Sequence, residues 1–203
     1  MILQIVNNRF VLILLMASSL MARNLDKAYI DAIYIKTRSD PPYVYLIKKP
    51  KGLESSVQID TEYDSDQFDI KIESSSPKAK LKVEQRYETS LSILNEGPHL
   101  DLINWKHFIS DWVEVPAIGT GVHRSLLISE KESSQFPNIE FSDLIKEIKR
   151  KDPKWLHVIG NVRSIREYPF SVYVSTLTFR ISLLIDNKWV PIHSVHCRRP
   201  TGC

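Results

Sequence analysis

Hydrophobic and polar positions alternate along much of the chain, and a period of two is the mark of strands with one face buried and one face wet. Phe68, Ile70 and Ile72 take every second place, with Asp69, Lys71 and Glu73 between them. Leu81, Val83 and Tyr87 continue the rhythm, and Val57, Ile59, Thr61 and Tyr63 precede it. The stretch 43–47 (YVYLI) reads as a more deeply buried strand, closed by the turn Lys48-Lys49-Pro50-Lys51-Gly52. Asp40-Pro41-Pro42 is a break, because each proline lacks an N–H and forces the residue before it out of helical geometry. Before it, Leu25, Ala28, Tyr29, Ala32 and Ile33 give residues 24–36 a helical spacing, while residues 29–36 fit a strand as well. Ile30, Ile33, Tyr34 and Ile35 favour the strand, since β-branched and aromatic side chains suit a pleated surface. Asp64-Ser65-Asp66 and Ser74-Ser75-Ser76-Pro77 supply the intervening turns, and short turns between amphipathic strands predict an antiparallel meander.

The second half has a different texture. Residues 91–121 have no clean period; proline and glycine punctuate them, and Trp105 and Trp112 are concentrated there. Residues 142–151 (SDLIKEIKRK) predict a helix with Ser142 as N-cap, a Leu144–Ile145–Ile148 stripe, basic residues in the last turn and Pro153 beyond it. Residues 155–162 are a short strand candidate. Residues 171–185 (SVYVSTLTFRISLLI) predict a long strand and 189–195 its partner, joined through Asp186-Asn187-Lys188. Asp and Asn tolerate the left-handed backbone that tight hairpin turns need. The expected fold class is therefore α+β and strand-rich: an antiparallel sheet, meander plus C-terminal hairpin, with one short helix packed on it.

The N-terminus breaks the alternation altogether. Residues 10–17 (FVLILLMA) are an unbroken apolar run behind a short segment with Arg9, and the small residues Ala17, Ser18, Ser19 and Ala22 follow. That order matches a secretory signal, with cleavage after Ser19 or after Ala22. The run is too short for a bilayer span, which needs about 20 apolar residues. Residues 1–22 are read as the signal and 23–203 as one globular domain, exported, and periplasmic if the source is bacterial. No stable membrane span is expected once the signal is removed.

Composition adds little that contradicts this. The chain has 203 residues, 43% hydrophobic and 25% charged, ordinary for a folded domain. The net charge of +3 comes from 27 basic and 24 acidic residues that are interspersed. Clusters such as Lys48-Lys49-Pro50-Lys51 and Lys149-Arg150-Lys151 read as solvated surface, so no nucleic-acid partner is expected. The two cysteines, Cys197 and Cys203, stand in CRRPTGC at the C-terminus, and an exported chain would be expected to join them in a small disulfide ring. A metal pair assisted by His193 and His196 is the weaker reading: the cysteine spacing is wrong, and strand residues three apart point to opposite faces.

Candidate chemistry gathers in the irregular middle. Glu96, His99, Asp101 and His107 lie close together beside Trp105 and Trp112. Imidazole and carboxylate together could bind zinc or move protons, but no H-E-x-x-H spacing is present. The acidic run Asp60, Glu62, Asp64, Asp66 and Asp69 lacks the glycine of a calcium loop and reads as turn and edge residues. There is no G-x-S-x-G, and Gly119-Thr120-Gly121 lacks the rest of a phosphate loop. No catalytic residue, metal or cofactor is assigned on these grounds. The function expected is that of a small exported binding protein, of the inhibitor or immunity type, that meets a protein partner through Glu96, His99, Asp101, Trp105, His107 and Trp112. The alternatives are a metal-dependent or acid–base enzyme centred on His99, Asp101 and His107, and a structural envelope component.

Overall fold

The computed structural model describes residues 30–59, 67–76, 78–93, 108–135 and 140–199. Two five-stranded sheets face each other. The first has the order β2-β1-β4-β8-β7, built from β1 (Ala32–Thr37), β2 (Val44–Lys48), β4 (Phe68–Glu73), β7 (Ala117–Gly119) and β8 (Val122–Arg124). The second has the order β3-β10-β9-β5-β6, built from β3 (Glu54–Gln58), β5 (Leu81–Ile93), β6 (Val113–Glu114), β9 (Phe170–Ile185) and β10 (Lys188–Arg198). All pairings are antiparallel except β3 with β10.

The strand-rich α+β class is what the alternation predicts, and so is the hairpin of β9 and β10. Its turn residues Asp186 and Asn187 have φ of 48° and 61°, the left-handed geometry that their side chains tolerate. The meander is not found. β3, β4 and β5 succeed one another in sequence, but β4 lies in the first sheet between β1 and β8, while β3 and β5 lie in the second. Alternation specifies that one face of a strand is buried; it does not specify which sheet receives the strand.

The core lies between the sheets. Ile33, Ile35, Phe68 and Ile70 from the first sheet meet Val83, Phe179, Ile181 and Val195 from the second, all essentially inaccessible. Burying each such side chain contributes about 1.5–3 kcal/mol relative to leaving it in water. β5 and β9 are longer than the other strands and run past this core. At a bulge between Glu88 and Thr89 the ribbon bends, and Ser90 Oγ meets Ser175 Oγ at 2.7 Å. Beyond the bulge Leu91, Ile93 and Phe170 form a second core with Leu144 and Ile148 of α2 (Phe141–Lys151) and Ile159 of α3 (Leu156–Ile159).

The helix expected at 142–151 is α2, with Leu144 and Ile148 buried. Its N-cap is Glu140 rather than Ser142, and no side chain caps it. The strand candidate at 155–162 is instead a 3-10 turn, Pro153–Trp155, running into α3. The Asp152 carboxylate accepts from the Lys154 N–H, and Pro153 occupies the first turn, a helix start that overrides the β-branched content downstream. No helix among the described residues is long and apolar enough to cross a membrane.

Candidate binding site at the 125–135 strap

After β8 the chain leaves the first sheet and crosses to the second. Ser125 begins the crossing, exchanging bonds with Phe68 of β4: its N–H donates to the Phe68 carbonyl at 2.9 Å, and its Oγ accepts from the Phe68 N–H at 2.8 Å. The following residues then lie along β5, whose inward side chains hold their backbone. The Gln85 amide donates to the Leu126 carbonyl at 3.2 Å and accepts from the Leu126 N–H at 2.8 Å. The Tyr87 hydroxyl donates to the Glu132 carbonyl at 3.1 Å, and the Thr89 hydroxyl donates to the Gln135 carbonyl at 2.8 Å. Residues 125–135 therefore form a strap tied to both sheets.

Within the strap is α1 (Glu130–Ser133), a single turn closed by a capping box: Ser129 Oγ accepts from the Glu132 N–H, and the Glu132 carboxylate accepts from the Ser129 N–H. The Ser129 hydroxyl also donates to that carboxylate at 2.7 Å, and this bond together with the one from the Ser129 N–H holds the Glu132 carboxyl below its usual range. The sequence reading missed the strap; the signal that could have found it is Gln85 and Thr89, polar residues at inward positions of an amphipathic strand, which need partners because a buried unpaired amide or hydroxyl is costly.

A groove of about 320 Å³ opens on one side of the strap. Tyr87, Phe108, Val113, Leu126, Leu127 and Ile128 supply its apolar lining, and Val113 and Leu127 are 50% and 64% exposed. The rings of Tyr87 and Phe108 pack 5.7 Å apart. β6 is two residues long, and beside the groove the edge of the second sheet continues as a single bridge between Glu88 and Ile109.

Trp112, the one expected binding residue among the described positions, stands at the border of this groove. Glu84 pairs with Glu114 and Gln85 with Val113, which sets Trp112 beside β5 on the outward face of the second sheet. The guanidinium carbons of Arg180 and Arg86 lie 4.1 and 4.6 Å from the centroid of its indole. Arg180 also donates to Glu84 at 3.0 and 2.9 Å, and Lys82 reaches the same carboxylate at 3.0 Å. Burial alone would raise the Glu84 carboxyl, but the hydrogen bonds from Lys82 and Arg180 outweigh it and hold it below its usual range. Arg86 is less fully engaged. Its Glu88 partner is 3.9 Å away, and its Nε is shielded from water with no hydrogen-bond partner among the described residues.

Glu96, His99, Asp101, Trp105 and His107 lie outside the described residues, as do Asp60, Glu62, Asp64 and Asp66. Asp69 is paired with Arg124 at 2.8 Å on the outer face of the first sheet. Gly119 and Gly121 belong to the tight β7–β8 turn. Gly121 has φ +67°, and a Cβ there would stand 2.7 Å from the Ile72 carbonyl. His193 and His196 point to opposite faces of β10. His193 is buried, with Nδ1 on the Gly52 carbonyl at 3.2 Å and Nε2 on Ser55 Oγ at 3.0 Å; His196 meets Thr178 Oγ1 at 3.2 Å. Among the described residues, no three His, Cys, Asp or Glu side chains gather as a metal site.

The expected Cys197–Cys203 disulfide has one end outside the described residues. Cys197 carries a free thiol, on the inward face of β10 and 1% exposed, and Cys203 lies outside the described residues. The same alternation that directs Val195 into the core directs Cys197 there. Burial pushes its thiol up to about 12, so it is not ionised near neutral pH.

Comparison with known proteins finds no match, whether to family models, to curated proteins or to solved structures.

Proposed function

We propose that this chain is an exported binding protein that recognises a protein partner through the strap groove and its border. The observation that carries the reading is the convergence of Val113 and Leu127, both half-exposed or more, on one groove of about 320 Å³ with Tyr87 and Phe108 at its wall. Exposed apolar side chains gathered around a concavity mark interaction sites on soluble proteins. Trp and Arg are the side chains most often found at the energetic centre of protein interfaces, and Trp112 with Arg86 and Arg180 adjoins the groove. The export half of the proposal is supported by the apolar run at 10–17 and the small residues after it. Neither a nucleic acid nor a membrane span after signal removal is part of the reading.

The test is affinity capture from the native extracellular or envelope fraction, using wild type beside Leu127→Asp, Val113→Asp and Trp112→Ala. A stoichiometric protein lost from the first two variants, which keep the circular dichroism and melting behaviour of wild type, supports the site. Undiminished capture by both aspartate variants refutes it. N-terminal sequencing of the protein recovered from cells tests export separately, with a start after Ser19 or Ala22 expected.

A further inference from the structure

β2 is an edge of the first sheet, and among the described residues it is paired on one side only, to β1. The phase of that pairing is fixed at both ends: the Thr37 N–H donates to the Tyr43 carbonyl at 2.9 Å, and the Lys49 N–H donates to the Asp31 carbonyl at 2.8 Å. Hydrogen-bonded positions alternate along an antiparallel pair, so residues 43, 45, 47 and 49 turn their backbone groups to β1. Val44, Leu46 and Lys48 turn theirs outward, and each offers one donor and one acceptor to a further strand.

The same three residues carry their side chains on the outer face of the sheet, where Val44 is 55% and Leu46 42% exposed. Sheets commonly guard such an edge with charge, proline or a covering loop, because exposed apolar strands recruit other strands. Pro41 and Pro42 stand before β2 and leave 44–48 clear. Charge gathers at the other end: Lys48, Lys49 and Lys51 are exposed and have no ion-pair partner among the described residues. Of the acids nearby, Asp31 is one against three, and the Glu54 carboxylate stands 3.8 Å from His196 Nε2. A second copy of this chain would bring three more lysines to the seam and, beyond its prolines, the single acid Asp40, so the imbalance would remain. An acidic strand removes it, since opposite charges on neighbouring strands attract and like charges oppose pairing.

We propose that β2 docks an extended segment of a partner protein as an added antiparallel strand with the pattern acid–x–apolar–x–apolar. The acid lies opposite Lys48, within reach of Lys49 and Lys51, and the two apolar side chains lie beside Leu46 and Val44. Backbone bonds give an added strand its affinity, and its alternate side chains give it selectivity. The site is separate from the strap groove, which is lined from β5, the 108–113 segment and the strap.

The peptide acetyl-EETVTVT-amide, titrated into isotope-labelled protein and followed by backbone amide shifts, tests the proposal. Saturable shifts are expected at Val44, Leu46 and Lys48. KKTVTVT, and EETVTVT N-methylated at both valines, are expected to bind at least several-fold more weakly, the first for want of ion pairs and the second for want of backbone donors. Lys48→Glu combined with Lys49→Glu should reverse the preference between the acidic and basic peptides. Leu46→Pro, which removes an N–H that faces away from β1, should abolish binding with the fold retained, since edge strands tolerate proline. If the proline variant does not fold, the charge reversal decides. Leu127→Asp in the strap groove should leave peptide binding unchanged; a loss there would place the peptide in the groove and overturn the edge site. Absence of saturable shifts at 44–48, or equal binding of the N-methylated peptide, overturns strand addition, and equal binding of KKTVTVT overturns the acidic partner. A dimer in sedimentation velocity that the peptide disperses would give the edge to a second copy and overturn the proposal likewise.

Discussion

The side-chain amide of Gln85 pairs with both backbone groups of Leu126, accepting from its N–H at 2.8 Å and donating to its carbonyl at 3.2 Å. One buried side chain thus does for the strap what a neighbouring strand would otherwise do. Gln85→Leu preserves bulk but leaves both Leu126 groups without that partner. A buried polar group left unpaired costs about 1–3 kcal/mol. The variant is expected to lose stability of that order in urea unfolding, and its amides at 125–128 should exchange with solvent faster than those of β9. Unchanged exchange at Leu126 would show that the clamp is not what holds the strap.

His193 makes stability depend on pH. The Gly52 carbonyl can only accept, so Nδ1 carries the proton of the neutral ring and Nε2 accepts from the Ser55 hydroxyl. Burial lowers the imidazole below its ordinary value of 6.5, against the raising influence of Gly52 and the Glu54 charge; His196 adds to the lowering. In the unfolded chain the ring takes up its proton nearer 6.5, so below that pH the unfolded state binds more protons than the folded one. This residue's contribution is therefore intact above 6.5 and declines as the pH falls, levelling once the folded ring is protonated too. Urea midpoints between pH 8 and pH 5 should show a decline that His193→Gln lacks.

The fate of Cys197 distinguishes a structural thiol from a redox bridge. Iodoacetamide applied to the native protein at pH 8 should leave Cys197 unmodified, because the group is buried and its pKa is about 12. Unfolding without reductant should then expose it to alkylation. Peptide mapping after each step reads the outcome directly. A Cys197 that resists alkylation even when unfolded, and yields only after reduction, would show a closed disulfide in place of the free thiol.

Much of this architecture was written in the period of the side chains, and the remainder depends on contacts between distant segments. Phe68, Ile70 and Ile72 announce a strand and its buried face, yet only pairing with β1 and β8 places it in the first sheet. β6, β7 and β8 are two or three residues long, too short to show a period; β6 and β8 pair with the longer β5 and β4, and β7 pairs in turn with β8. Trp112 stood out in the sequence as an aromatic in an irregular segment. Its companions did not, since Arg86 and Arg180 reach the indole only through the register of β5 with β6 and β9. The strap went unread, although Gln85 and Thr89 stand as polar residues at inward positions of β5. Their partners, Leu126 and Gln135, are dozens of residues away, and nothing local pairs them.

The turn between β9 and β10 offers a test of the framework that carries the groove. Asp186 and Asn187 have φ of 48° and 61°, and left-handed backbone costs an ordinary L-residue about 1–2 kcal/mol. Asparagine bears this better than most side chains, glycine without steric penalty, and a β-branched residue worst. Asn187→Gly is therefore expected to be neutral or slightly stabilising, and Asn187→Val to destabilise by about 1–2 kcal/mol relative to it. Because Leu183, Ile181 and Phe179 on β9 lie directly beyond the turn, facing Val190, His193 and Val195 on β10, the loss should appear as a lower global midpoint rather than local fraying. Equal midpoints for the glycine and valine variants in thermal melts would mean that the hairpin register is set by the core pairs alone, and that the turn merely follows.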